Sequence, residues 1–450
     1  MGRCLYFFCD SRMPKSYDRE HIMASVYQQM STPELDAAIA ELERQADEVR
    51  AQKLSLDMAR GKPSPEQVAL SKPLLDELSS QTELVDGNGI VDNYGTPDGL
   101  PSARKLAAEI LGVDASNVIV NGSSSLNLMH DLVANAFVHG IAGQEPWCRQ
   151  GEVKFLCPSP GYDRHFAVTA RFGITNVPIP LKEDGPDMEL VRELVENDPQ
   201  VKGIWCVPKY ANPTGITYSD ELVRAFAALK PAAPDFRIFW DNAYVVHAFG
   251  DEDDELLNIF TALEEAGADN LVYEFGSTAK VTFPSSGIAF VAASDADMAE
   301  IRSAFAIERV SCEKFTQLAH ARYLRDLEGV QEHMAKHAAI VRPRFELVER
   351  KLTEGLGGLD IASWTHPHGG YFVSFEGPEN SAKAIVALMK ELGVVMTGAG
   401  ATWPYGEDPH DSNIRIAPTY PSLEDLGAAL DVFVIAVKLV AARLERAARS

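Results

Sequence analysis

The chain has 450 residues, of which 46% are hydrophobic and 24% are charged, a composition typical of a globular protein with room for two domains. Its 65 acidic and 41 basic residues give a net charge of −24, which argues against nonspecific binding to nucleic acid or to an anionic membrane. No apolar run is long enough to span a bilayer, and the six cysteines form no CxxC pair that would indicate a metal site. The sequence therefore predicts a globular protein of a reducing compartment, the cytosol, that binds no metal.

The first 75 residues divide into two parts. Residues 1–22 show no helical or strand periodicity, so we expect a disordered leader there. An amphipathic helix follows, with Thr32 as the expected N-cap and Pro33 at the first helical position. We expect residues 23–75 to pack with a smaller domain rather than to stand alone.

The middle of the chain alternates short β-branched or aromatic runs with helical segments. This alternation predicts a mostly parallel sheet with helices on both faces, and we assign it to a large domain of residues 76–330. From about Val330, long helices are interleaved with strand-like runs, so residues 331–450 are expected to complete a smaller α+β domain. The predicted fold class is α/β. In such sheets, ligands bind beyond the carboxyl ends of the strands, and we look for chemistry there.

Lys280 follows one of these apolar runs and the small-residue turn 276–279. That position would expose its amine in a cleft, where partial desolvation favours the neutral, nucleophilic form and allows a Schiff base with an aldehyde. A single lysine is more often a solvated surface group, so the assignment depends on its neighbours.

Asp241 ends the apolar run 236–240, and a carboxylate at the tip of a buried strand requires a cationic or donor partner. A pyridinium nitrogen is such a partner, and a protonated ring can accept the electrons released when a substrate loses its α-proton. Asn212 and Tyr244 can both hydrogen-bond a phenolate oxygen on the same ring. The alternative role for Asp241 is a helix N-cap after a strand.

Two further segments are suited to anions. Ser123 and Ser124 lie in the small-residue turn 121–125 between a strand and a helix, where backbone N–H groups and hydroxyls can hold a phosphate, or simply cap the helix. Arg415 lies in an apolar strand pattern and would meet a carboxylate there in bidentate fashion. That carboxylate is either a substrate's or a structural partner's.

Two polar stretches are expected to have no catalytic role. The acidic run 251–255 lacks the glycine and the spacing of a calcium loop, so we interpret it as a solvated connection. His366 and His368 flank Pro367, which holds the two imidazoles apart, and no carboxylate cluster follows them.

Taken together, these segments resemble the class I/II (fold-type I) aminotransferases that depend on pyridoxal 5'-phosphate (PLP), from about Leu56 to Pro418. The strings 207–215 and 402–418 look more specifically like a bacterial aspartate aminotransferase subgroup. The resemblance implies a large domain with a mostly parallel seven-stranded sheet between helices, plus a smaller α+β domain. It also implies ping-pong exchange of an amino group between an L-amino acid, aspartate in this subgroup, and a 2-oxo acid, 2-oxoglutarate.

The resemblance implies a role for each matching residue. Lys280 forms the Schiff base and moves the substrate's α-proton, with Asp241 and Tyr244 as the other catalytic groups. The residues implied to bind the cofactor are Ser123, Ser124, Tyr162, Asn212, Asp241, Tyr244, Ser277, Lys280 and, from the other subunit of a homodimer, Tyr94. Those implied to bind substrate are Gly61, Asn212 and Arg415, which takes the α-carboxylate.

One departure from the family pattern concerns the phosphate. The family usually has an arginine about eight residues after the lysine, whereas this chain has Ile288, and Lys209 is a candidate replacement. A dicarboxylic substrate would also need a second cation, for which the basic residues closest in sequence to the motifs are Arg60, Lys62, Arg164 and Lys209. Three alternatives remain open: an aminotransferase of the same fold that acts on other amino acids, a β-lyase or decarboxylase of the same fold, and a regulator that binds PLP without turnover.

Overall fold

The computed structural model describes residues 25–250 and 253–450, so the leader predicted for 1–22 lies outside the described residues. The α-helices of the described residues are α1 (Val26–Gln29), α2 (Thr32–Gln52), α3 (Pro65–Leu70), α4 (Pro101–Leu111), α5 (Ser125–His139), α6 (Asp163–Arg171), α7 (Met188–Asn197), α8 (Asp220–Ala227), α9 (Ile259–Ala266), α10 (Asp295–Glu308), α11 (Phe315–Leu324), α12 (Leu327–Leu356), α13 (Ala382–Glu391) and α14 (Leu423–Ala448). Short 3-10 helices span Lys72–Asp76, Ala115–Asn117, Trp147–Arg149 and Pro404–Gly406.

The strands form one large sheet and three small ones. They are β1 (Leu56–Asp57), β2 (Val85–Asp86), β3 (Gly89–Ile90), β4 (Val118–Val120), β5 (Lys154–Ser159), β6 (Thr175–Lys182), β7 (Gly185–Pro186), β8 (Val201–Cys206), β9 (Arg237–Asp241), β10 (Val272–Ser277), β11 (Ala289–Ala292), β12 (Ser363–Trp364), β13 (Val373–Glu376), β14 (Val394–Val395) and β15 (Asn413–Ile416).

The large sheet has the order β4-β11-β10-β9-β8-β5-β6-β7. Pairing is parallel from β10 through to β6, and antiparallel at β11 and at the β6–β7 hairpin. The prediction of an α/β fold with a mostly parallel sheet is confirmed. The sheet has eight strands rather than seven because the two-residue β7 folds back on β6 at the edge.

The central strands are buried along their whole length, as expected for a parallel sheet covered on both faces. Alternate side chains enter two different cores. Trp205 and Phe239 pack on one face with Phe275, and Ile204 and Ile238 pack on the other. The aromatic contacts on the first face include Phe239 and Phe275, whose ring centroids lie 5.7 Å apart.

A second body is built around α14. Its apolar stripe packs against α2, α12 and α13 in one core that also contains residues of β13 and β15. The N-terminal segment thus packs with the C-terminal part of the chain, and β1 pairs in parallel with β14. Helix α12 joins the two cores. Its residue Val330 packs in the core of the large sheet, and its residue Val341 packs in this second core. The boundary predicted between residues 330 and 331 falls within α12.

The start of α2 differs from the prediction by one residue. Ser31, not Thr32, is the N-cap, and Thr32 begins the helix. The reason is a capping box, in which the Glu34 carboxylate accepts hydrogen bonds from the Ser31 N–H at 2.7 Å and from the Ser31 hydroxyl at 2.6 Å.

The carboxyl ends of the strands define one edge of the large sheet. Asp241 ends β9 and pairs with Phe275 of the neighbouring β10, which ends at Ser277. Phe290 of β11 pairs with both Gly276 and Val120, so the turn after β4 lies at the same edge as the end of β10. The helices of the described residues include none long and apolar enough to cross a membrane.

Candidate active site

Lys280 lies just beyond β10 at the edge where the strands end. Its ammonium lies 4.7 Å from the centre of the Tyr244 ring, which follows β9. The backbone carbonyl of Lys280 accepts a hydrogen bond from the Tyr371 hydroxyl at 3.4 Å. The amine is therefore placed over an aromatic face, on a residue that is half-buried.

Asp241 is almost completely buried and makes one side-chain contact to a ring nitrogen. Its Oδ2 lies 3.0 Å from Nε2 of His165, which is itself buried and stacked on Trp205 at a centroid distance of 4.6 Å. Within the described residues, Asp241 Oδ1 has no hydrogen-bond partner. A buried carboxylate oxygen without a donor is costly, so this atom is suited to a donor from a bound ligand.

Two tyrosines accompany the lysine and the aspartate. Burial raises the pKa of Tyr244, and the nearby Asp241 charge raises it further, so the phenol stays neutral and can donate a hydrogen bond. Burial also raises the pKa of Tyr162 to about 12, with Lys280 acting in the opposite direction. The Tyr162 ring meets His165 edge to face at 4.9 Å.

Arg415 projects from β15 with its guanidinium only partly satisfied. Nη1 donates to Asn212 Oδ1 at 3.1 Å and Nη2 donates to Thr397 Oγ1 at 3.3 Å, while Nε has no partner among the described residues. Asp163 Oδ1 lies 3.7 Å from Nη1, and its side chain is 37% exposed. A guanidinium with a free donor at a buried position is suited to a ligand carboxylate.

Gly61 is required by close packing beside this arginine. The Phe372 ring lies under the guanidinium, with the Arg415 Cζ atom 4.8 Å from the ring centre. A Cβ atom on Gly61 would lie 2.1 Å from Cζ of Phe372, so any larger residue must displace the ring. The glycine therefore allows the backbone to approach the ring that lies against the Arg415 guanidinium.

The turn after β4 lies across β11 from Ser277. Ser124 is the N-cap of α5, but its side chain makes no capping hydrogen bond, and the buried Asn121 Nδ2 has no partner among the described residues. A Cβ on Gly122 would meet nothing within 4 Å. Ser123 and Ser124 are half-buried. The first N–H groups of the 15-residue α5 and these hydroxyls form an arrangement suited to a phosphate.

Ile288 contributes nothing polar to this turn. Its side chain is buried in the core that packs behind β4 and β11, and its N–H donates to Thr278 Oγ1 at 2.9 Å. The residue that stands in place of the usual arginine is thus a core residue, and the local groups suited to an anion are the serines and the N-terminus of α5.

The basic residues considered for a second carboxylate are engaged or exposed. Lys209 Nζ forms a 2.8 Å ion pair with Asp253, and Lys62 Nζ lies 3.7 Å from the centre of the Tyr420 ring. Arg164 has a side chain that is 66% exposed and lies 3.9 Å from Asp163. Arg60 is exposed as well.

The described part of the acidic run is more than a solvated connection. Asp253 accepts a 2.7 Å hydrogen bond from the Tyr210 hydroxyl in addition to pairing with Lys209. Asp254 accepts one from Thr217 at 2.8 Å and lies 2.8 Å from His368. Asp253 remains exposed, with 57% of its side chain accessible, and Asp254 is half-buried. Both carboxylates thus have specific partners, because buried cationic and hydroxyl groups require acceptors.

Tyr94 stands apart from the cluster. Its side chain is 76% exposed on the loop between β3 and α4, whereas the other residues expected at the site are buried or half-buried. Within a single chain, the structure brings together the motif residues around Lys280, Asp241 and Arg415, and leaves Tyr94 on the surface.

Sequence reasoning missed three residues of this cluster: His165, Thr397 and Phe372. His165 lies one helical turn after Tyr162, a spacing that would have placed both on one face of α6. Thr397 and Phe372 carry no comparable signal, because their contacts with Arg415 join segments distant in sequence.

Comparisons with known proteins identify the family of the chain. A family model described as aspartate amino-transferase matches residues 30–449. The chain is 41% identical over 404 residues to aspartate aminotransferase of Corynebacterium glutamicum, a match that covers 89% of this chain and 93% of that protein.

The crystal structure of an aspartate transaminase from Corynebacterium glutamicum superposes with a TM-score of 0.91 at 39% identity, covering 94% of this chain and 99% of that one. Aspartate aminotransferase from Thermus thermophilus with maleate shares the fold at 20% identity, with a TM-score of 0.63 and coverage of 89% and 96%. Fold and cleft together define an aminotransferase of fold type I. More specifically, the chain belongs to the aspartate aminotransferase family.

Proposed function

We propose that this aminotransferase uses PLP to exchange the amino group between L-aspartate and 2-oxoglutarate in a ping-pong cycle. The observation that carries the proposal is the buried Asp241 carboxylate, which has one oxygen bound to His165 and the other without a donor, at the same sheet edge as Lys280. A protonated ring nitrogen would satisfy the open oxygen.

The residues of the cleft fit PLP. Asp241 would hold the ring nitrogen, Asn212 and Tyr244 the phenolic oxygen, and Ser123, Ser124 and Ser277 the phosphate, with Tyr162 against the ring. The unpartnered Asp241 Oδ1 and Asn121 Nδ2, together with the open space at Gly122, support this fit. When bound, the cofactor supplies an aldehyde for the amine and an electron sink for the substrate's α-carbanion.

Each side chain of the site has its own role in the reaction. The Lys280 amine holds the cofactor in the resting enzyme and moves a proton from the substrate's α-carbon. Arg415 orients the substrate by its α-carboxylate, with Gly61 leaving room beside it. Asp241 keeps the ring nitrogen protonated through its negative charge, and His165 fixes the direction of that carboxylate.

A homodimer is part of the proposal, with Tyr94 serving the cofactor phosphate of the partner subunit. The surface around Tyr94 supports it, because large apolar side chains are exposed on two segments that lie side by side: Val85, Ile90, Ile307, Val310 and Phe315. A surface of this kind favours self-association. We also propose a cytosolic location, which the free thiols of the described Cys148, Cys157, Cys206 and Cys312 support.

The half-reaction provides the test. PLP-loaded protein given L-aspartate without a 2-oxo acid should release one oxaloacetate per site and convert the bound cofactor to pyridoxamine phosphate. Addition of 2-oxoglutarate should then regenerate PLP and release glutamate. Repeated turnover of an amino acid in the absence of any 2-oxo acid, with release of ammonia or carbon dioxide, would instead indicate a lyase or a decarboxylase. Absence of both reactions with every amino acid would indicate a binding protein.

A further inference from the structure

Lys314 is a buried lysine whose ammonium contacts backbone carbonyls. Its exposed fraction is 3%, and Nζ donates to the carbonyls of Ile90 at 2.6 Å and Gly95 at 3.3 Å, and also to that of Asn93. Within the two described ranges, no carboxylate forms an ion pair with it. The buried cation is therefore balanced by the dipoles of a single loop, residues 90–95, which carries Tyr94.

This arrangement fixes the loop. An ammonium has three N–H donors, and three carbonyls of the loop converge on Lys314. Burying a charge without such partners is expensive, and the carbonyls would lose their shared donor if the lysine were removed. The lysine and the loop conformation therefore stabilise each other.

Neighbouring residues of the same segment hold the rest of the loop. The Ser311 hydroxyl donates to the Gly95 carbonyl at 3.1 Å, and the Cys312 thiol donates to the Thr96 carbonyl at 3.3 Å. Thr96 has a φ of 46°, a left-handed conformation that a threonine adopts only when its surroundings impose it. The segment 311–314 thus imposes a defined conformation on the loop immediately around Tyr94.

A third contact links this segment to the expected phosphate site. The Gln317 Oε1 atom accepts the Leu100 N–H at 2.8 Å, and Nε2 donates to the Val120 carbonyl at 3.2 Å, at the end of β4. The loop and the strand that precedes the 121–125 turn are held by one short stretch of chain. Position 288 carries no cation that could bind the phosphate. Hydrogen-bond donors from a second subunit would therefore contribute more to phosphate binding.

We infer that Lys314 is a positioning residue for cofactor binding, and that its ammonium holds the loop so that Tyr94 is ready to bind the cofactor phosphate of the partner subunit. The inference rests on the dimer of the proposed function. A side chain that is 76% exposed would otherwise lose conformational freedom on docking, and a loop already fixed by Lys314 reduces that cost.

The first measurement needs no cofactor. Lys314→Met keeps an unbranched side chain as far as the ε position and removes the charged Nζ, so hydrogen exchange of the amides in residues 90–96 should accelerate by about tenfold or more. Lys105→Met, at an exposed lysine of α4, is the matched control and should leave exchange in that loop unchanged. Unchanged exchange in Lys314→Met would overturn the inference.

The second measurement uses mixed dimers in which one subunit carries Lys280→Ala. Only the site with Lys280 can turn over, and its Tyr94 comes from the Lys280→Ala subunit. Lys314→Met placed on the Lys280→Ala subunit should raise the PLP concentration for half-saturation of the working site about tenfold. Placed on the other subunit, it should change nothing. Equal effects of the two placements, or none, would overturn the inference.

A parallel pair of hybrids carries Tyr94→Phe in the same two placements. If Tyr94→Phe weakens PLP binding only from the Lys280-bearing subunit, the dimer proposal itself fails. If it acts from the Lys280→Ala subunit while Lys314→Met does not, the inference about Lys314 alone fails. If Lys314→Met does not yield folded dimers, Lys314→Gln, which keeps two donors, replaces it in both placements. An effect only from the Lys280→Ala subunit is again the expected result, and equal effects or none would again overturn the inference.

Discussion

His165 and Asp241 form a buried pair in which the imidazole Nε2 lies 3.0 Å from one carboxylate oxygen and leaves the other open. Trp205 stacks on the imidazole with an interplanar angle of 12°, so the histidine cannot easily rotate away. The carboxylate is therefore held in one direction by a residue 76 positions away in sequence. Its other oxygen is free to accept a hydrogen bond from a ligand.

Asp241→Asn should reduce turnover by several orders of magnitude without unfolding the protein, because a neutral amide cannot keep a ring nitrogen protonated as the substrate's carbanion forms. His165→Asn should have a smaller effect, about 5- to 150-fold, because the carboxylate remains but loses one fixed hydrogen bond. Steady-state kinetics with circular dichroism as the folding control would measure both. Near-normal turnover of Asp241→Asn would show that this residue only caps the following turn.

The buried carboxyl group of Glu274 should make the stability of the protein depend on pH. It is fully buried beside Asn242, whose Nδ2 donates to one carboxylate oxygen at 2.9 Å, and burial raises its pKa from an ordinary 4.5 to about 8. The pKa of Glu274 is higher in the folded state than in the unfolded state. Its contribution to the free energy of unfolding is therefore complete below about pH 4.5 and is lost as the pH rises to about 8.

Glu274→Gln removes this titration while keeping an acceptor for Asn242. The variant and the parent chain should have similar free energies of unfolding near pH 5, and the variant should gain on the parent toward pH 9, by at most about 5 kcal/mol. Denaturant unfolding at several pH values measures the difference. Glu264→Gln, at an exposed position of α9, should show no such trend. A constant difference across the pH range would contradict the buried, neutral Glu274.

Gly61→Ala should raise KM for every substrate and lower kcat/KM by about ten- to a hundredfold. The new Cβ would lie 2.1 Å from the Phe372 ring, and the ring lies against the Arg415 guanidinium. A displacement on the order of 1 Å at a substrate-orienting group is enough for a loss of this size. Gly427→Ala in α14, where the nearest atom would be 3.9 Å away, is the control and should leave kinetics unchanged. A normal KM for Gly61→Ala would remove Gly61 from the site.

The substrate prediction concerns the distal carboxylate of aspartate. Arg415 can hold only one carboxylate, so a second cation must meet the other, and replacing that carboxylate with a methyl group would leave the cation unpaired. The expected penalty is about 2 to 5 kcal/mol, or roughly 30-fold to several thousand-fold in kcat/KM. Comparison of kcat/KM for aspartate, alanine and an aromatic amino acid measures it. A preference for either of the latter would refute aspartate as the substrate and leave amino transfer intact.

Arg415→Lys tests which carboxylate of the substrate Arg415 binds. A lysine ammonium cannot reproduce the fork that contacts Asn212 and Thr397, so kcat/KM should fall for aspartate and alanine by similar factors. A loss confined to aspartate would place Arg415 at the distal carboxylate instead.

The sequence indicated much of this site because its chemistry follows the strands. Asp241 and Lys280 are polar residues after apolar runs, and parallel pairing of β9 with β10 brings such strand ends to one edge. Arg415 was conspicuous as a charge inside an apolar strand pattern. Local rules of this kind need only the order of residues along the chain.

The parts that the sequence did not reveal depend on packing between distant segments. His165 meets Asp241 across 76 positions, and Lys314 meets Ile90 across 224. A lysine or a histidine in a polar stretch gives no sign that tertiary structure will bury it. The capping box of Ser31 and Glu34 is a different case, because its signal is local: the spacing of these two residues marks Ser31, rather than Thr32, as the N-cap.

Borohydride reduction of the purified, PLP-loaded protein shows whether the Lys280 amine holds PLP, on which the proposed function depends. Reduction fixes the cofactor covalently to the amine that carries it, and peptide mapping by mass spectrometry then identifies the residue. We expect one pyridoxyl group per chain, on Lys280, and none on that peptide in a folded Lys280→Ala variant that has lost steady-state transfer. A pyridoxyl group fixed on another lysine of the parent protein, or sustained turnover by Lys280→Ala, would contradict this expectation.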